Sequence, residues 1–284
     1  MARPSFVGRD GKPRLIECVV LYFDLLGVGE MARGETADSE LEKFDELLRQ
    51  VLPYPIGAKA AAEATRLGAS SAAVFSDSVV QTIPVADDLP AAAPIFQLVV
   101  QVAQSQTQLI LSEYFARGAI TLDRFHAHDG LLFGPALVEA AKLEQEVADV
   151  PRIVLSSRVC ATLLEFAQAG GENAFYAEAP VLVDEDGVAF VDYLGGAFQS
   201  DPEIVVPELL RRHRKVVSAK LKESITIFHH WSKYRWAAEY HNAICLKNRD
   251  LLDGGEGHGS FLIDSIYTSR QFKPLMSAAA RPDR

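Results

Sequence analysis

The chain has 284 residues, of which 49% are hydrophobic and 23% charged, which is the composition of a globular protein with a sizeable core. Its formal net charge of −10 argues against general nucleic-acid binding, because such binding needs a basic face that releases counterions. A single nucleotide is not excluded, since a bound metal can reverse the local field. The three cysteines are scattered without paired ligand spacing, which indicates buried thiols in a reducing compartment.

Nothing in the composition indicates export or a membrane span. Residues 1–6 lack an apolar signal core, so we expect a cytoplasmic protein. The most apolar long run, residues 94–111, is interrupted by glutamines and therefore predicts a buried or interfacial helix rather than a membrane helix.

The first third of the chain predicts one strand, two helices and a hairpin. After a loose polar leader, the continuous apolar run of residues 15–23 predicts a central strand that is buried on both faces. Helical spacing over 41–51 and an alanine-rich stretch over 58–67 predict two helices. In residues 70–84, two short apolar runs flank Ser76-Asp77-Ser78, which predicts a hairpin with Asp77 at its tip.

Helices and strands alternate in the rest of the main domain. They are a helix over 89–115, a strand over 117–122, a polar link over 126–130, a helix over 136–147, a strand over 152–155, a helix over 157–169 and, after an Asp-Gly turn, a strand over 190–194. This order predicts an α+β fold, a ferredoxin-like split βαβ sheet with helices on one face.

The C-terminal part has a helical composition. We expect a main domain over 14–203, helices over 206–231 and 233–252 packed on it within 204–254, and an extended tail over 255–284 with a mobile end. Five aromatic residues predict a packing seam between these helices rather than a stacking platform for nucleic acid: Phe228, Trp231, Tyr234, Trp236 and Tyr240.

Two aspartates are the strongest candidates for chemistry. Asp24 follows the first strand and precedes a glycine turn, where an acid considered by itself is more often a turn former or a helix cap than a ligand. In a split βαβ sheet the first strand and the hairpin are neighbours, which would place Asp24 and Asp77 at the same end of adjacent strands. Two carboxylates with no basic residue beside them repel each other unless a cation lies between them. Oxygen ligands favour Mg²⁺ or Mn²⁺, and two such ions about 4 Å apart can promote phosphoryl transfer.

The sequence resembles the class III nucleotide cyclases, and most of all the Pycsar pyrimidine cyclases of bacterial anti-phage defence. The resemblance lies in the order and joint occurrence of short blocks between residues 15 and 252. These blocks are Phe23-Asp24-Leu25-Leu26-Gly27, Phe75-Ser76-Asp77-Ser78, Arg117-Gly118-Ala119-Ile120, residues 133–144, residues 151–156, and the segments 233–236 and 239–242.

The resemblance implies a reaction and a set of residues. The ribose 3′-oxygen of a nucleoside triphosphate would attack the α-phosphorus, which releases pyrophosphate and closes a 3′,5′-cyclic phosphate. Asp24, Asp77 and the Leu25 carbonyl would bind two divalent ions, with Lys142 in a catalytic role. The substrate would be bound by Leu25, Leu26, Gly27, Val28, Gly29, Ser76 and Arg117.

The resemblance also implies partners. Class III domains act as head-to-tail pairs, so we expect a homodimer in which one subunit supplies the metals and the other its glycine-headed helix. A separate effector would bind the cyclic product. Neither nucleic acid nor a membrane is expected as a partner.

Four positions depart from the purine cyclases of this class. Where those have a lysine, a base-reading acid, an asparagine and an arginine, this chain has Ala73, Leu131, Val138 and Lys142. An uncharged Ala73/Leu131 pair leaves the polar edge of a purine without partners, which predicts a pyrimidine substrate, UTP in preference to CTP. Lys142 keeps the positive charge without the planar fork of arginine.

Several alternatives remain open at this point. The protein could be a purine cyclase with unusual base contacts, an inactive pseudo-cyclase that binds a nucleotide or partner, or a scaffold that dimerises through its C-terminal helices. Arg117 could be a surface ion-pair residue, Lys142 a solvated helix residue and Gly134 a requirement of backbone geometry. The histidines at 126 and 128 precede Asp129, and a polar link explains these three residues more simply than a metal site does.

Overall fold

A computed structural model describes residues 5–28, 37–52, 71–170, 179–197, 205–252, 257–263 and 270–276. The strands in these ranges are β1 Ile16–Leu26, β2 Ser71–Phe75, β3 Ser78–Pro84, β4 Phe115–His128, β5 Leu131–Phe133, β6 Ile153–Leu155, β7 Val181–Val183, β8 Ala189–Val191 and β9 Lys273–Pro274. The helices are α1 Ala37–Val51, α2 Ala92–Leu111, α3 Pro135–Glu146, α4 Ser157–Gln168, α5 Tyr193–Ala197, α6 Val205–Glu223, α7 Phe228–Lys247 and α8 Arg249–Leu252. The predicted helix over 58–67 lies outside the described residues.

The sheet is built around β1. In the order β2-β3-β1-β4, the central strand β1 is antiparallel to both β3 and β4, so these two are parallel to each other and α2 connects them. This is the ferredoxin-like split βαβ arrangement, and it confirms the predicted α+β fold. Beyond β4 the sheet continues through β6, β8, β7 and β9.

Side chains of β1 point alternately into two hydrophobic clusters. Odd-numbered positions 19–25 pack in the larger cluster with α1 and α2, whereas Cys18 and Val20 pack with Ala136 in the smaller one. The hydroxyl of Thr121 donates to the Ala136 carbonyl at 2.8 Å and anchors the first turn of α3 there. The expectation that all helices lie on one face is therefore wrong for the start of α3.

The strand predicted over 117–122 is much longer in the structure. β4 runs from Phe115 to His128, at the expense of the preceding helix and of the predicted polar link. His126 lies on this strand and its Nδ1 contacts the Arg14 carbonyl at 3.0 Å. Asp129 and Gly130 have φ of 48° and 81° and turn the chain into β5. Asp-Gly with positive φ is a strong hairpin signal, and the polar histidines obscured it in the sequence.

The C-terminal helices pack against the sheet as well as against each other. Trp236 and Tyr240 of α7 meet the ring of Phe190 on β8 edge-on, at centroid distances of 5.3 and 5.6 Å. The aromatic seam predicted between the helices is thus directed at the sheet, and Phe228 is 81% exposed. α6 and α7 meet at a corner over 224–227, earlier than the predicted break at residue 232. No helix in the described ranges is long and apolar enough to span a membrane.

The predicted extended tail contributes to the sheet. β9 pairs with β7 and forms an edge of the sheet, and residues 257–263 pack beside α6 and α7. The boundary expected between residues 203 and 204 lies outside the described residues, so the division into domains remains a prediction.

A buried chain of hydrogen bonds joins α5, α6, α7 and the 257–263 segment. Tyr193 Oη lies 3.0 Å from His213 Nε2, His213 Nδ1 lies 3.1 Å from His241 Nδ1, and His241 Nε2 lies 2.8 Å from the Phe261 carbonyl. Since a carbonyl only accepts, His241 donates from Nε2 and accepts at Nδ1 from His213, which in turn accepts from Tyr193. Both imidazoles are satisfied as neutral rings. A second proton on His241 would place its Nδ1–H against that of His213, and a second proton on His213 would remove the acceptor of the Tyr193 hydroxyl.

We expect this histidine pair to destabilise the protein in acid. Burial lowers the pKa of His241 to about 4 despite the hydrogen bond to Phe261, and burial and His241 lower the pKa of His213 well below its usual 6.5. Because the unfolded chain takes up these protons first, the stabilisation is complete above pH 6.5 and is lost as the pH falls towards 4. Thermal unfolding across this range should show a shallower pH dependence for His213→Gln than for the wild type.

The exposed His229 provides the control for this measurement. His229→Gln should keep the slope of the wild type, because His229 is exposed and takes no part in the buried chain of hydrogen bonds. Other groups near the pair are Tyr193, the Cys245 thiol, 3.6 Å from His241 Nε2, and Arg214, whose charge acts on His241. Equal slopes for His213→Gln and the wild type would contradict the assignment.

Candidate active site

Asp24 and Asp77 come together at one end of the central strand. β1 continues to Leu26, so Asp24 lies inside the strand and not after it as expected. Its neighbours across the sheet are Ser78 on β3 and Arg117 on β4. The Leu25 backbone N–H donates to the Asp77 carbonyl at 3.0 Å, and this bond ties the β2–β3 turn to the end of β1.

The turn between β2 and β3 consists of Ser76 and Asp77. Ser76 is exposed and has a φ of 59°, which is uncommon for a residue other than glycine, whereas Asp77 is half-buried. The two-residue connection places Asp77 directly before Ser78, the β3 neighbour of Asp24, and burial and the Asp77 charge both raise the pKa of Asp24. Ser76 and Asp77 thus form the rim of the site.

The guanidinium group of Arg117 lies beside Asp24, which corrects the expectation that the two carboxylates have no basic neighbour. Arg117 Nη2 is 2.8 Å from Glu144 Oε1 on α3 and 3.7 Å from Asp24 Oδ2. The Arg117 side chain is 24% exposed and that of Glu144 only 10%. Arg117 is therefore neither an exposed surface ion pair nor a free cation, but a bridge between two acids of the site.

The environment of Asp24 disfavours its charged form. Burial raises the pKa of Asp24, and repulsion from Asp77 raises it further, while Arg117 and a hydrogen bond from Ser78 act in the opposite direction. A cation placed between Asp24 and Asp77 would relieve this repulsion.

The sequence analysis missed Glu144 and Lys233 as members of the site. Burial raises the pKa of Glu144, which Arg117 partly offsets, and burial and Arg117 together lower the pKa of Lys233 on α7. Glu144 lies one and two helical turns after two fully buried alanines of α3, so an acid on the buried stripe was a usable signal. Lys233 carried no such signal, because only the tertiary structure brings α7 to this end of the sheet.

A glycine turn follows the acid in β1. Gly27 has a φ of 94°, in the left-handed region that glycine adopts readily, and Leu25 and Val28 are buried. A cavity of about 510 Å³ opens beside Leu26 and Gly27 and extends along the C-terminal helices. Backbone N–H groups of such a turn suit an anion. Gly29, also expected to bind substrate, lies outside the described residues.

Lys142 does not join this cluster within the chain. Its side chain is 67% exposed and its Nζ lies 3.8 Å from Glu146 Oε2, one turn further along α3. Residues two apart on a helix differ by about 200° in direction, so Lys142 points away from the side on which Glu144 meets Arg117. Its role as a catalytic residue remains a prediction and would require a second subunit.

Three apolar side chains are exposed around the glycine that heads α3. Leu131, Phe133 and Val138 are 55%, 64% and 70% exposed, and we call them the apolar rim. Gly134 between them has a φ of 148°, and a Cβ there would collide with the Arg124 carbonyl, which explains this glycine by backbone geometry. The apolar rim is an exposed apolar surface at the start of α3.

The available donors fit a divalent cation that is shared with a substrate. Within the described part of the chain, no three His, Cys, Asp or Glu side chains are grouped as a metal site. Asp24 and Asp77 supply two carboxylates, while Glu144 is engaged by Arg117. Mg²⁺ is commonly held by one or two carboxylates and completes its shell with water and substrate phosphates. The pair suits such a cation better than an ion enclosed by protein ligands alone.

The chain is thus an α+β protein with a split βαβ sheet and an acid cluster at the end of its central strand. No protein-family model and no curated protein matches its sequence. Solved structures that resemble its fold include adenylyl and guanylyl cyclases.

Three of these structures each cover 62% of this chain. The adenylyl cyclase CyaB from P. aeruginosa is 12% identical, with 92% of its own chain covered and a TM-score of 0.43. The adenylate/guanylate cyclase/hydrolase from Silicibacter pomeroyi is 15% identical, with 95% covered and a TM-score of 0.37. The guanylyl cyclase Cya2 is 10% identical, with 91% covered and a TM-score of 0.40. At such low identity the likeness concerns the fold alone.

Proposed function

We propose that this protein is a nucleotide cyclase that converts a pyrimidine nucleoside triphosphate, UTP in preference to CTP, into its 3′,5′-cyclic monophosphate and pyrophosphate. The observation that carries the proposal is the proximity of Asp24, on the central strand β1, to Asp77, in the turn before the adjacent strand β3, with the Leu25 N–H donating to the Asp77 carbonyl. These aspartates belong to the sequence blocks that resemble class III cyclases.

Each part of the site has a role in this reaction. Two divalent ions, Mg²⁺ or Mn²⁺, held by Asp24, Asp77 and the Leu25 carbonyl, would supply the positive charge that phosphoryl transfer requires. The amides of residues 26–29 would hold the phosphate chain. The ribose 3′-oxygen forms a bond to the α-phosphorus, the bond from that phosphorus to pyrophosphate breaks, and the 3′-hydroxyl proton passes to water.

No charged residue would recognise the base. Ala73 on β2 is half-buried and Leu131 belongs to the exposed apolar rim, so neither can pair with the polar edge of a purine. An exposed apolar rim is also suited to burial between subunits. In a head-to-tail homodimer the rim and Lys142 of one subunit would face the aspartates of the other, and Ser76 and Arg117 would contact the substrate.

The biological role follows from the resemblance to the Pycsar branch. The cyclic pyrimidine nucleotide would be a cytoplasmic second messenger in anti-phage defence, and a separate effector would bind it.

A second candidate, a pseudo-cyclase that binds a nucleotide without converting it, is favoured by one observation. Arg117 lies 3.7 Å from Asp24, where it competes with a cation for that carboxylate. The apolar Val138 and the exposed Lys142 add to this alternative, because both replace polar groups of the purine cyclases.

Incubation of the purified protein with each of the four ribonucleoside triphosphates and Mn²⁺ tests the proposal. We expect cyclic UMP as the main product, at least about tenfold less from ATP or GTP, and no product in EDTA. Cyclic AMP as the main product would contradict the pyrimidine assignment. Nucleotide binding without any cyclic product would favour the pseudo-cyclase.

A further inference from the structure

The C-terminal helices bring a lysine to the cavity beside the glycine turn. Lys233 on α7 is half-buried and lines the same cavity as Leu26 and Gly27. Its place is well defined, because the ring of the next residue, Tyr234, packs on that of Phe115 at 5.7 Å. Phe115 is in turn the β4 partner of Leu26. The start of α7 is thereby held against the end of β1.

The rest of α7 is anchored to the sheet. Trp236 Nε1 donates to Asp184 at 2.7 Å, and Tyr240 Oη donates to Asp192 at 2.6 Å. These two bonds lie one and two turns beyond Lys233, so the backbone that carries the lysine cannot shift without breaking buried contacts.

The ammonium group of Lys233 has charged neighbours but no direct ion pair. In the ranges that the structure describes, no carboxylate lies within 4.0 Å of Lys233 Nζ, although Asp24, Glu144, Asp149 and Arg117 act on its charge. The two carboxylates that line the cavity are already engaged, Glu223 with Lys220 at 3.0 Å and Glu113 with Lys215 at 3.8 Å.

A half-buried ammonium without a paired carboxylate favours an anionic ligand. Gly27, which has only backbone atoms, lines the same cavity, and lysine binds phosphate as a point charge with three donors. A phosphate chain at this turn would accept hydrogen bonds from the Lys233 ammonium group and from the backbone of the turn.

We propose that Lys233 contacts the phosphate chain of the nucleotide from the C-terminal helix and that the helices therefore take part in substrate binding. The inference rests on the proposed nucleotide substrate at the Leu26–Gly27 turn. It specifies which group of the substrate the helices recognise, namely the β- and γ-phosphates and not the base.

Calorimetric titrations in Mn²⁺ test this contact independently of turnover. The ligands are inorganic pyrophosphate, UMP and a UTP analogue with a methylene group between the α- and β-phosphorus. Lys233→Gln should bind pyrophosphate and the analogue about tenfold more weakly, the loss of one charge-assisted hydrogen bond, with UMP unchanged. Lys233→Arg should restore most of the affinity, and the exposed Lys222 on α6 provides the control, Lys222→Gln.

Each outcome has one meaning. Unchanged affinity of Lys233→Gln for pyrophosphate, or an equal loss for UMP, would overturn the phosphate contact. Thermal unfolding of Lys233→Gln at the wild-type temperature shows that the variant is folded. Phosphate binding that depends on Lys233, in a wild type that makes no cyclic nucleotide, would overturn the proposed cyclase and leave this inference intact.

Discussion

Asp77→Asn should lower the rate of cyclic nucleotide formation by about 10³-fold or more, because an amide cannot supply the negative charge that a catalytic cation needs. The backbone bond from the Leu25 N–H to the Asp77 carbonyl does not involve the side chain, so the turn should keep its place. The measurement is product formation from UTP, together with Mn²⁺ binding followed by electron paramagnetic resonance.

Asp88 provides a matched control for this substitution. It is an exposed aspartate in the loop that follows the other end of β3, away from Asp24. Asp88→Asn should retain wild-type turnover and Mn²⁺ affinity. An Asp77→Asn variant that keeps more than about a tenth of the activity would show that the second acid does not hold a catalytic cation.

Asp184→Ala should destabilise the protein by about 3–5 kcal/mol, because it removes a fully buried carboxylate that accepts hydrogen bonds from two arginines and a tryptophan. The Asp184 side chain is 0% exposed and accepts from Arg152 at 2.9 Å, from Arg270 at 2.9 Å and from Trp236 at 2.7 Å. These bonds join β7, the approach to β6, helix α7 and the segment before β9. Urea unfolding followed by circular dichroism measures the loss.

Asp186, on the same turn, provides a control that distinguishes the effect of burial from the effect of the negative charge. It also pairs with Arg152, at 2.8 Å, but its side chain is 44% exposed. Asp186→Ala should therefore change the free energy of unfolding by less than about 1 kcal/mol. Equal free energies of unfolding for the two variants would contradict the expectation that burial makes the Asp184 contacts more stabilising than the Asp186 contact.

Much of the fold could be predicted because its signals are local. Three kinds of signal depend on neighbouring residues alone: the apolar run of β1, the two short runs of the hairpin and the helical spacing of α1. Their order along the chain defines the split βαβ sheet. The predicted bounds of β4 are wrong, because there the local polarity of the sequence conflicts with strand pairing in the tertiary structure. β4 extends through His126 because β1 and β5 pair with it, which overrides the polar character of the segment.

The candidate site also has a part that could be predicted from the sequence and a part that could not. The sequence by itself determined the fold class and the choice of Asp24 and Asp77. The apolar run, the hairpin and the acid that belongs to each can be recognised from neighbouring residues. Only the tertiary structure decided that Arg117 lies between Asp24 and Glu144 and that Lys233 reaches the glycine turn. These contacts join residues far apart along the chain, and they depend on how α3 and α7 pack on the sheet, which no local pattern encodes.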